Sequence, residues 1–377
     1  MRFTCKVLDS QEQFFLYRKQ WNQLVKQSHS CTFFMSWEWL DTWLSVYGEI
    51  ADQLYIILVF DMENKLVGAV PLYLEKGVNA TETRHQLRFI GSGEEEWEEV
   101  ATEYLDVVTL RGIEDHVCQF LFNKIDELGL SWSVFIAENI LENSIFLRKL
   151  APILLGKNYN LIMNQSGQRY RISLPESWGG FEAGLGKSMR RKGRQSKKRI
   201  QEMEGHKTEE TNNIELGLSE LKTLHDERWK KKNMAGAFSS PRFIAFHHQF
   251  MSRLLEDGTL RLRRTSIGNN LIAILYNIRF SETESYYQSG FDLQLGSRVR
   301  PGIYAHMQAI EVSIDEKVKY YDMMKGSEDS YKSDYCAEVV PMLTIRLYNR
   351  TLRGRLRYLR DMSLRYARKL RDRYALS

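Results

Sequence analysis

Two stretches of the chain set apolar strands around a polar turn in the same way. Residues 54–60 (LYIILVF) and 66–74 (LVGAVPLYL) flank Asp61–Lys65, and residues 259–280 (TLRLRRTSIGNNLIAILYNIRF) repeat the arrangement around Gly268, Asn269 and Asn270. Alternating, β-branched segments on either side of a polar turn predict a β-hairpin each time. Helical periodicity precedes both: residues 10–27 and the Trp-rich 37–47 before the first, residues 214–231 and 241–255 before the second. After the first hairpin come LRFIGSG, EYLDVV, a helix at 116–128 and the buried strand WSVFIAENI. After the second come the strand SYYQSGFD, a helix opening on Pro301-Gly302 with Ile303, Met307, Ile310 and Ile314 on one face, and the strand VKYYDMM. Between the two sets, the strand YRISL ends at Pro175, and Ser177 is placed to cap a helical region running to Gly205.

The repeated order predicts an α+β fold of two tandem copies of one unit, each a helix pair laid on a mixed, mostly antiparallel sheet. The join falls in the polar NQSG segment, which gives domains 1–165 and 166–342. Beyond them, residues 343–377 form a third segment. Tyr348, Leu352, Leu356, Leu359, Met362, Tyr366, Leu370 and Tyr374 recur there every three or four residues, and arginines fill much of the other face. That is a basic amphipathic C-terminal helix, suited to an anionic membrane surface. Docking on the protein's own surface or on a second subunit is the other reading of the same pattern.

Charge sharpens this picture. The 377 residues carry a net charge of +5, but residues 345–377 alone hold ten Arg and one Lys against two Asp. The remainder is therefore acidic. Lys187–Arg199 is a second basic run, with eight basic residues, no acid and Gly193 in its middle. Such runs are usually solvated faces. It lacks the interleaved aromatics of a nucleic-acid surface, which leaves contact with an anionic acceptor as its functional reading. The longest apolar run, around Leu271–Ile278, is too short to cross a bilayer, and Met1–Phe15 has no apolar signal core. Cys5, Cys31, Cys118 and Cys336 are scattered, with no metal-ligand spacing, so the expectation is a cytoplasmic protein with neither zinc site nor disulfide framework.

The stretch 286–311 (YYQSGFDLQLGSRVRPGIYAHMQAIE) concentrates the candidate chemistry. A helix N-terminus attracts anions, so Gly296, Ser297, Arg298, Arg300 and Gly302 are candidate ligands for the phosphates of a donor. Asp292, at the junction of strand and loop, is a candidate proton acceptor, with an ordinary turn cap as the alternative. His306, on the first turn of the helix, is a second candidate base. His225, Arg228 and Trp229 share one helix face and would wall an acceptor cleft, with Tyr287 and, from the first domain, Asp106 contributing.

Several segments occur in a telling order: FIGSG…EYLD, LHDERW, the second hairpin, YYQSGFD, RPGIYAHMQAIE and YYDMMKGSEDSYK. In this order the chain resembles, over roughly residues 20–340, the CelD-like acetyltransferases of the GNAT superfamily. These are relatives of the FemAB peptidyltransferases, which contain two GNAT-like units. The resemblance implies transfer from acetyl-CoA or another acyl-CoA to an amine or hydroxyl of a sugar or cell-envelope (exopolysaccharide) precursor. The acceptor would attack the thioester directly, without a metal, in a cytoplasmic enzyme or one peripheral to the inner face of the membrane. It also implies that Lys332, beside Tyr331, stabilises negative charge in the transition state. One departure stands out. If Gly302 is the central glycine of the family's Q/R-x-x-G-x-G/A phosphate loop, Val299 and Tyr304 occupy flanking positions that want other residues. The FemAB alternative, in which charged tRNA is the donor, therefore stays open, as does a non-catalytic part in a polysaccharide-synthesis complex.

Overall fold

The computed structural model describes residues 1–76, 86–128, 132–230 and 236–374. They form two compact units. The first comprises Met1–Gly93, Thr102–Ser166 and Met342–Ser377, and the second Glu94–Ala101 and Gly167–Pro341.

The first unit begins with β1 (Thr4–Leu8), α1 (Gln11–Phe15), α2 (Arg18–Lys26) and α3 (Trp37–Tyr47). The hairpin β2 (Ala51–Phe60) and β3 (Leu66–Glu75) follows, then β4 (Gln86–Phe89), the short β5 (Val108–Thr109), α4 (Glu114–Leu128) and β6 (Val134–Leu141). A π-helical turn at Phe146–Leu150 leads into α5 (Ala151–Leu155), and β7 (Asn160–Ser173) runs from the first unit into the second. The second unit continues with α6 (Trp178–Gly184), α7 (Lys187–Gln201), β8 (His206–Glu210), α8 (Ile214–Lys230) and α9 (Pro241–Glu256). Its hairpin is β9 (Leu260–Ile267) and β10 (Asn270–Phe280), followed by β11 (Thr283–Phe291), α10 (Gly296–Val299), α11 (Pro301–Asp315) and β12 (Tyr320–Gly326). Then β13 (Glu338–Tyr348) returns to the first unit, and α12 (Leu352–Tyr374) ends the described chain.

The strands of the two units follow one plan. In the first, β1-β2-β3-β4 are antiparallel, β4-β6 are parallel, and β13 follows antiparallel to β6. In the second, β8-β9-β10-β11 are antiparallel, β11-β12 are parallel, and β7 follows antiparallel to β12. A parallel pair needs a crossover, and a helix supplies it in each unit, α4 in the first and α11 in the second. The fold is thus α+β with two GNAT-like units, as the repeated hairpins indicate.

Apolar pattern explains most of this. The rings of Trp37, Trp39 and Trp43 are buried on α3, whose N-terminus is capped by Ser36 accepting from the Trp39 N–H. Each such ring removes roughly 150–250 Å² from water. β3 is buried along its whole length, and Gly68 lets α4 approach it, since a Cβ there would run into Val117. The hairpins, α3, α8 and α9 lie within a few residues of where periodicity predicts them.

Four features differ from the sequence reading. The edge strands β1 and β8 were not expected. β8 (HKTEE) has no apolar alternation and is held instead by ion pairs with the residues directly opposite, Glu209 with Arg264 at 2.8 Å and Glu210 with Arg263 at 2.9 Å. Second, residues 343–348 belong to a strand, so the C-terminal helix starts at Leu352 and Met342–Ser377 is part of the first unit. Third, Glu94–Ala101 belongs to the second unit, where Glu98 pairs with Arg242 at 3.1 Å and the Val100 carbonyl accepts from Tyr287.

Fourth, Asp106 is a structural carboxylate inside the first unit. One oxygen accepts from the main-chain N–H groups of Val107 and Phe146, both at 2.7 Å. The other accepts from the Ile145 N–H and the Ser30 hydroxyl, both at 2.9 Å. It thereby satisfies the N-terminus of the helical segment that starts at Phe146. Burial pushes its pKa up to about 6, and these four donors pull the other way. Every partner is a donor, so Asp106→Asn turns one oxygen into an NH₂ group facing an N–H. The substitution is expected to destabilise the protein by about 1–3 kcal/mol. A denaturation midpoint equal to that of the parent protein would refute this assignment.

Candidate active site

The second unit opens where its parallel pair ends. β11 and β12 are in register only at Thr283–Ser285 against Tyr320–Asp322. Past that point β12 bulges between Asp322 and Lys325, with Met324 in the left-handed region at φ 63°. A cavity of about 430 Å³ lies at the far end of β11, against the N-terminus of α11 and the helical turn Tyr331–Tyr335. Leu224, Phe291 and Ile303 give it apolar walls, and Asp292 is the one carboxylate on its lining.

The loop into α11 is wound tightly. Gly296 has φ 51° and Arg300 φ 55°, both left-handed, and Pro301 occupies the first turn of the helix, where its missing N–H costs nothing. The Ser196 hydroxyl on α7 donates to the Val299 and Arg300 carbonyls, and Gly193 lets Met307 of α11 lie against the same helix. The basic run of α7 is therefore amphipathic: Met189, Gly193, Ser196 and Ile200 face inward. Several of its cations are held locally, Arg194 by Glu182 and Lys197 by Glu311.

Residues 187–333 match the family model described as acetyltransferase (GNAT) domain. This segment is a GNAT acetyltransferase domain. The protein is accordingly an acyltransferase. Among proteins of curated function none matches the chain. Solved structures share its fold at low identity. The crystal structure of FemX aligns with a TM-score of 0.66 at 10% identity, over 95% of this chain and 99% of its own. A Bacteroides thetaiotaomicron protein of unknown function gives 0.57 at 12%, over 91% and 100%. The C-terminal domain of a putative lysylphosphatidylglycerol synthetase from Agrobacterium fabrum gives 0.53 at 10%, over 90% and 93%.

Within the GNAT domain, the structure brings some of the expected residues together. Asp292, Gly296, Arg300, Gly302, His306 and Tyr331 all line the cavity. Asp292 also caps its own turn, accepting from the Gln294 N–H at 2.6 Å. Arg298 is exposed and off the lining, and the Ser297 side chain is outside those described. Val299 and Tyr304, the two departures from the family's phosphate loop, are core residues packed with Ile200 and Ile272. Tyr304 is further tied to His206 at 2.9 Å.

Others lie elsewhere. Tyr287 alternates to the opposite face of the sheet from Tyr286, and its hydroxyl donates to the Val100 carbonyl beside His247. His225 is buried against Phe238, with ring centres 4.9 Å apart, and it is the preceding Leu224 that reaches the cavity. The side chains of Arg228 and Trp229 are outside those described. Lys332 does not line the cavity. Its ammonium donates to the Met323 and Lys325 carbonyls and lies 5.6 Å from the centre of the Tyr286 ring, clamping the bulge in β12.

His306 is the most constrained side chain here. It is buried among Tyr286, Phe291, Tyr321, Tyr331 and Tyr335, the nearest ring centre 4.4 Å away. Burial, and then the charge of Lys332, lower its pKa to about 3, so the imidazole is neutral at working pH. Its tautomer follows from hydrogen-bond bookkeeping. Glu284 is fully buried; burial opposes its charge, but Arg263 and the Asn277 amide outweigh that and hold its pKa below the ordinary value. An ionised carboxylate only accepts, so the group that Asn277 turns to it, at 2.8 Å, is NH₂. The second hydrogen of that NH₂ goes to the Tyr321 oxygen at 3.2 Å. The Tyr321 proton then has one acceptor among the described residues, His306 Nδ1 at 3.2 Å. Nδ1 accepts, so Nε2 carries the hydrogen. The ring presents an N–H rather than a lone pair, which corrects the expectation that it is a base.

Sequence reasoning missed Tyr335, whose ring is buried on the cavity lining with no partner for its hydroxyl among the described residues. It follows the KGSED loop without any pattern that would mark it. For Lys332 the clamp sets the expectation. Lys332→Met keeps the stem, removes the two carbonyl bonds and should cost about 1.5–3 kcal/mol of stability. An unaltered melting curve would show that the clamp carries no weight.

Proposed function

We propose that the cavity at the mouth of β11 is the donor site of an acyl-CoA-dependent acyltransferase. The observation that carries this reading is a set of three buried polar atoms, each on a residue of its lining and each without a partner among the described residues: His306 Nε2, the Tyr335 hydroxyl and Arg300 Nη1. Buried polar groups are rarely left unsatisfied. Three around one cavity fit a ligand that accepts hydrogen bonds at one end and bears negative charge at the other. Bound acyl-CoA supplies an activated thioester carbonyl for an amine or hydroxyl to attack.

The chain's own residues have distinct parts in this reading. Arg300 and the first N–H groups of α11 face the donor's phosphates. Phe291, Ile303 and Leu224 wall off water. His306 Nε2–H and Tyr335 O–H are neutral donors for the carbonyl oxygen, which gains negative charge as the acceptor attacks. Asp292, at the rim, takes the proton that the acceptor loses. Two neutral donors suit a carbonyl because they stabilise its oxygen in the transition state without a fixed cation binding the ground state equally well.

An envelope or sugar precursor as acceptor is supported by the whole-chain likeness to FemX and by the Agrobacterium fabrum neighbour, titled a putative lysylphosphatidylglycerol synthetase. No helix among the described residues is long and apolar enough to cross a membrane. Contact with an anionic membrane surface is supported by α12, which exposes Leu352, Leu356, Leu359 and Tyr366 between its arginines.

Calorimetry with acetyl-CoA and with CoA tests the donor. Binding of both, weakened by Arg300→Gln, is expected, and no binding of either would shift the reading to charged tRNA. His306→Phe should lower kcat by about 10²–10³-fold, with His306→Gln, which restores an N–H, recovering part of the loss. Because its pKa lies near 3, His306 stays neutral from pH 5 to 8 and contributes no inflection to kcat/KM there. An inflection near 6.5 that vanishes in His306→Gln would instead mark it as a base.

A further inference from the structure

A strong charge imbalance outside the GNAT-domain cavity lies in the first unit, beneath α12. A second cavity, of about 500 Å³, is lined there by Arg88, Arg346, Arg357, Arg360 and Arg365 against one acid, Asp361. Its floor comes from β4, β6, β7 and β13, and its roof is the inward face of α12.

That roof is anchored. Tyr358 packs edge-on against Tyr348 with ring centres 5.4 Å apart, and the Tyr348 hydroxyl donates to Asp361 at 2.7 Å. Asn349 and Thr351 close the turn before the helix, and Gly354 leaves room for the Asn349 carbonyl where a Cβ would collide with it. The helix therefore turns part of its basic side inward and Leu352, Leu356 and Leu359 outward. A helix merely covering a sheet would do the reverse.

Two of the five guanidiniums are answered within the protein. Arg88 bridges Glu75 and Glu138, each at 3.0 Å, and Arg360 pairs with Asp361 at 3.0 Å. Arg346, Arg357 and Arg365 form no close ion pair among the described residues, and Asp361 and Glu75 act on Arg357 only from farther away. Arg357 Nε is buried without an acceptor, and burial together with the nearby Arg360 pulls that guanidinium's pKa below its ordinary value. Like charges held together under a fixed roof want a counter-charge, and guanidinium forks match phosphate oxygens in pairs. Three unanswered cations in a space this size call for more than one negative charge.

We propose that this cavity binds a phosphate-bearing anion through Arg346, Arg357 and Arg365. Two sources offer that chemistry, a soluble di- or oligophosphate and the head group of an anionic phospholipid. The site stands apart from acyl transfer and does not depend on the identity of the donor.

The full-length protein would be titrated with sodium pyrophosphate by calorimetry and floated with phosphatidylglycerol and phosphatidylcholine vesicles, all at one ionic strength. The pair Arg346→Gln/Arg357→Gln is compared with Lys65→Gln/Lys157→Gln, which removes the same charge from exposed positions of the first unit outside α12. Expected is binding of pyrophosphate, of phosphatidylglycerol vesicles or of both, weakened about tenfold or more by the cavity pair and little changed by the surface pair. Pyrophosphate alone identifies a soluble ligand, and vesicles alone identify a head group. Binding of neither probe, or equal weakening by the surface pair, overturns the proposal. Should the cavity pair melt early, Arg365→Gln alone carries the same comparison.

Discussion

A carboxylate with no water around it must be answered by donors on every side, and the second unit is organised around one. Glu284 sits at the start of β11 and takes hydrogen bonds from Arg263 on β9, Asn277 on β10 and Ser313 on α11. One charge thus ties together the hairpin, the strand that ends at the cavity and the helix that lines it. A buried pair of this kind is weak grounds for claiming net stability, because desolvation offsets much of the attraction. What it fixes is direction. Only with Glu284 ionised do the amide of Asn277, the hydroxyl of Tyr321 and the ring of His306 each have a single way to point.

This explains how a histidine can be set as a donor with no acid beside it. A carboxylate in direct contact would draw a proton onto the imidazole and raise its pKa. Here the carboxylate acts three hydrogen bonds away, through two neutral groups, while burial among the rings and then Lys332 keep the imidazole uncharged. Lys332 thereby contributes to the electrostatics of the cavity without lying on its lining, beyond clamping the β12 bulge.

Much of the fold was legible because its cues are local. The hairpins announce themselves through alternation around Asp61–Lys65 and Gly268–Asn270, and Ser177 marks a helix start by side-chain capping. β8 was not legible, since HKTEE becomes a strand only when Arg263 and Arg264 lie opposite it. The end of β13 was read as part of a helix because Tyr348 and Leu352 fit a helical spacing by accident across a strand, a turn and a helix start. In the site, Arg300, Gly302, Asp292 and His306 come from one contiguous stretch, and all four line the cavity. Tyr335 and the chain through Asn277 and Tyr321 depend on contacts between residues distant in sequence. Tyr287 and His225 were misplaced for a simpler reason: strand alternation sends one to the opposite sheet face, and a helical turn leaves its neighbour Leu224, not His225, on the cavity.

The last strand has a consequence for how the molecule is made. β13 lies antiparallel to β6 in the first unit, yet nearly the whole second unit is threaded between them in sequence. During synthesis the N-terminal unit emerges first but lacks its final strand until residue 348 has left the ribosome. The GNAT domain, complete by residue 341, has every segment it needs before then. An unpaired β6 edge is open to wrong partners for that interval. The usual N-to-C order of domain completion is reversed in this chain, and the half translated first is the last able to close.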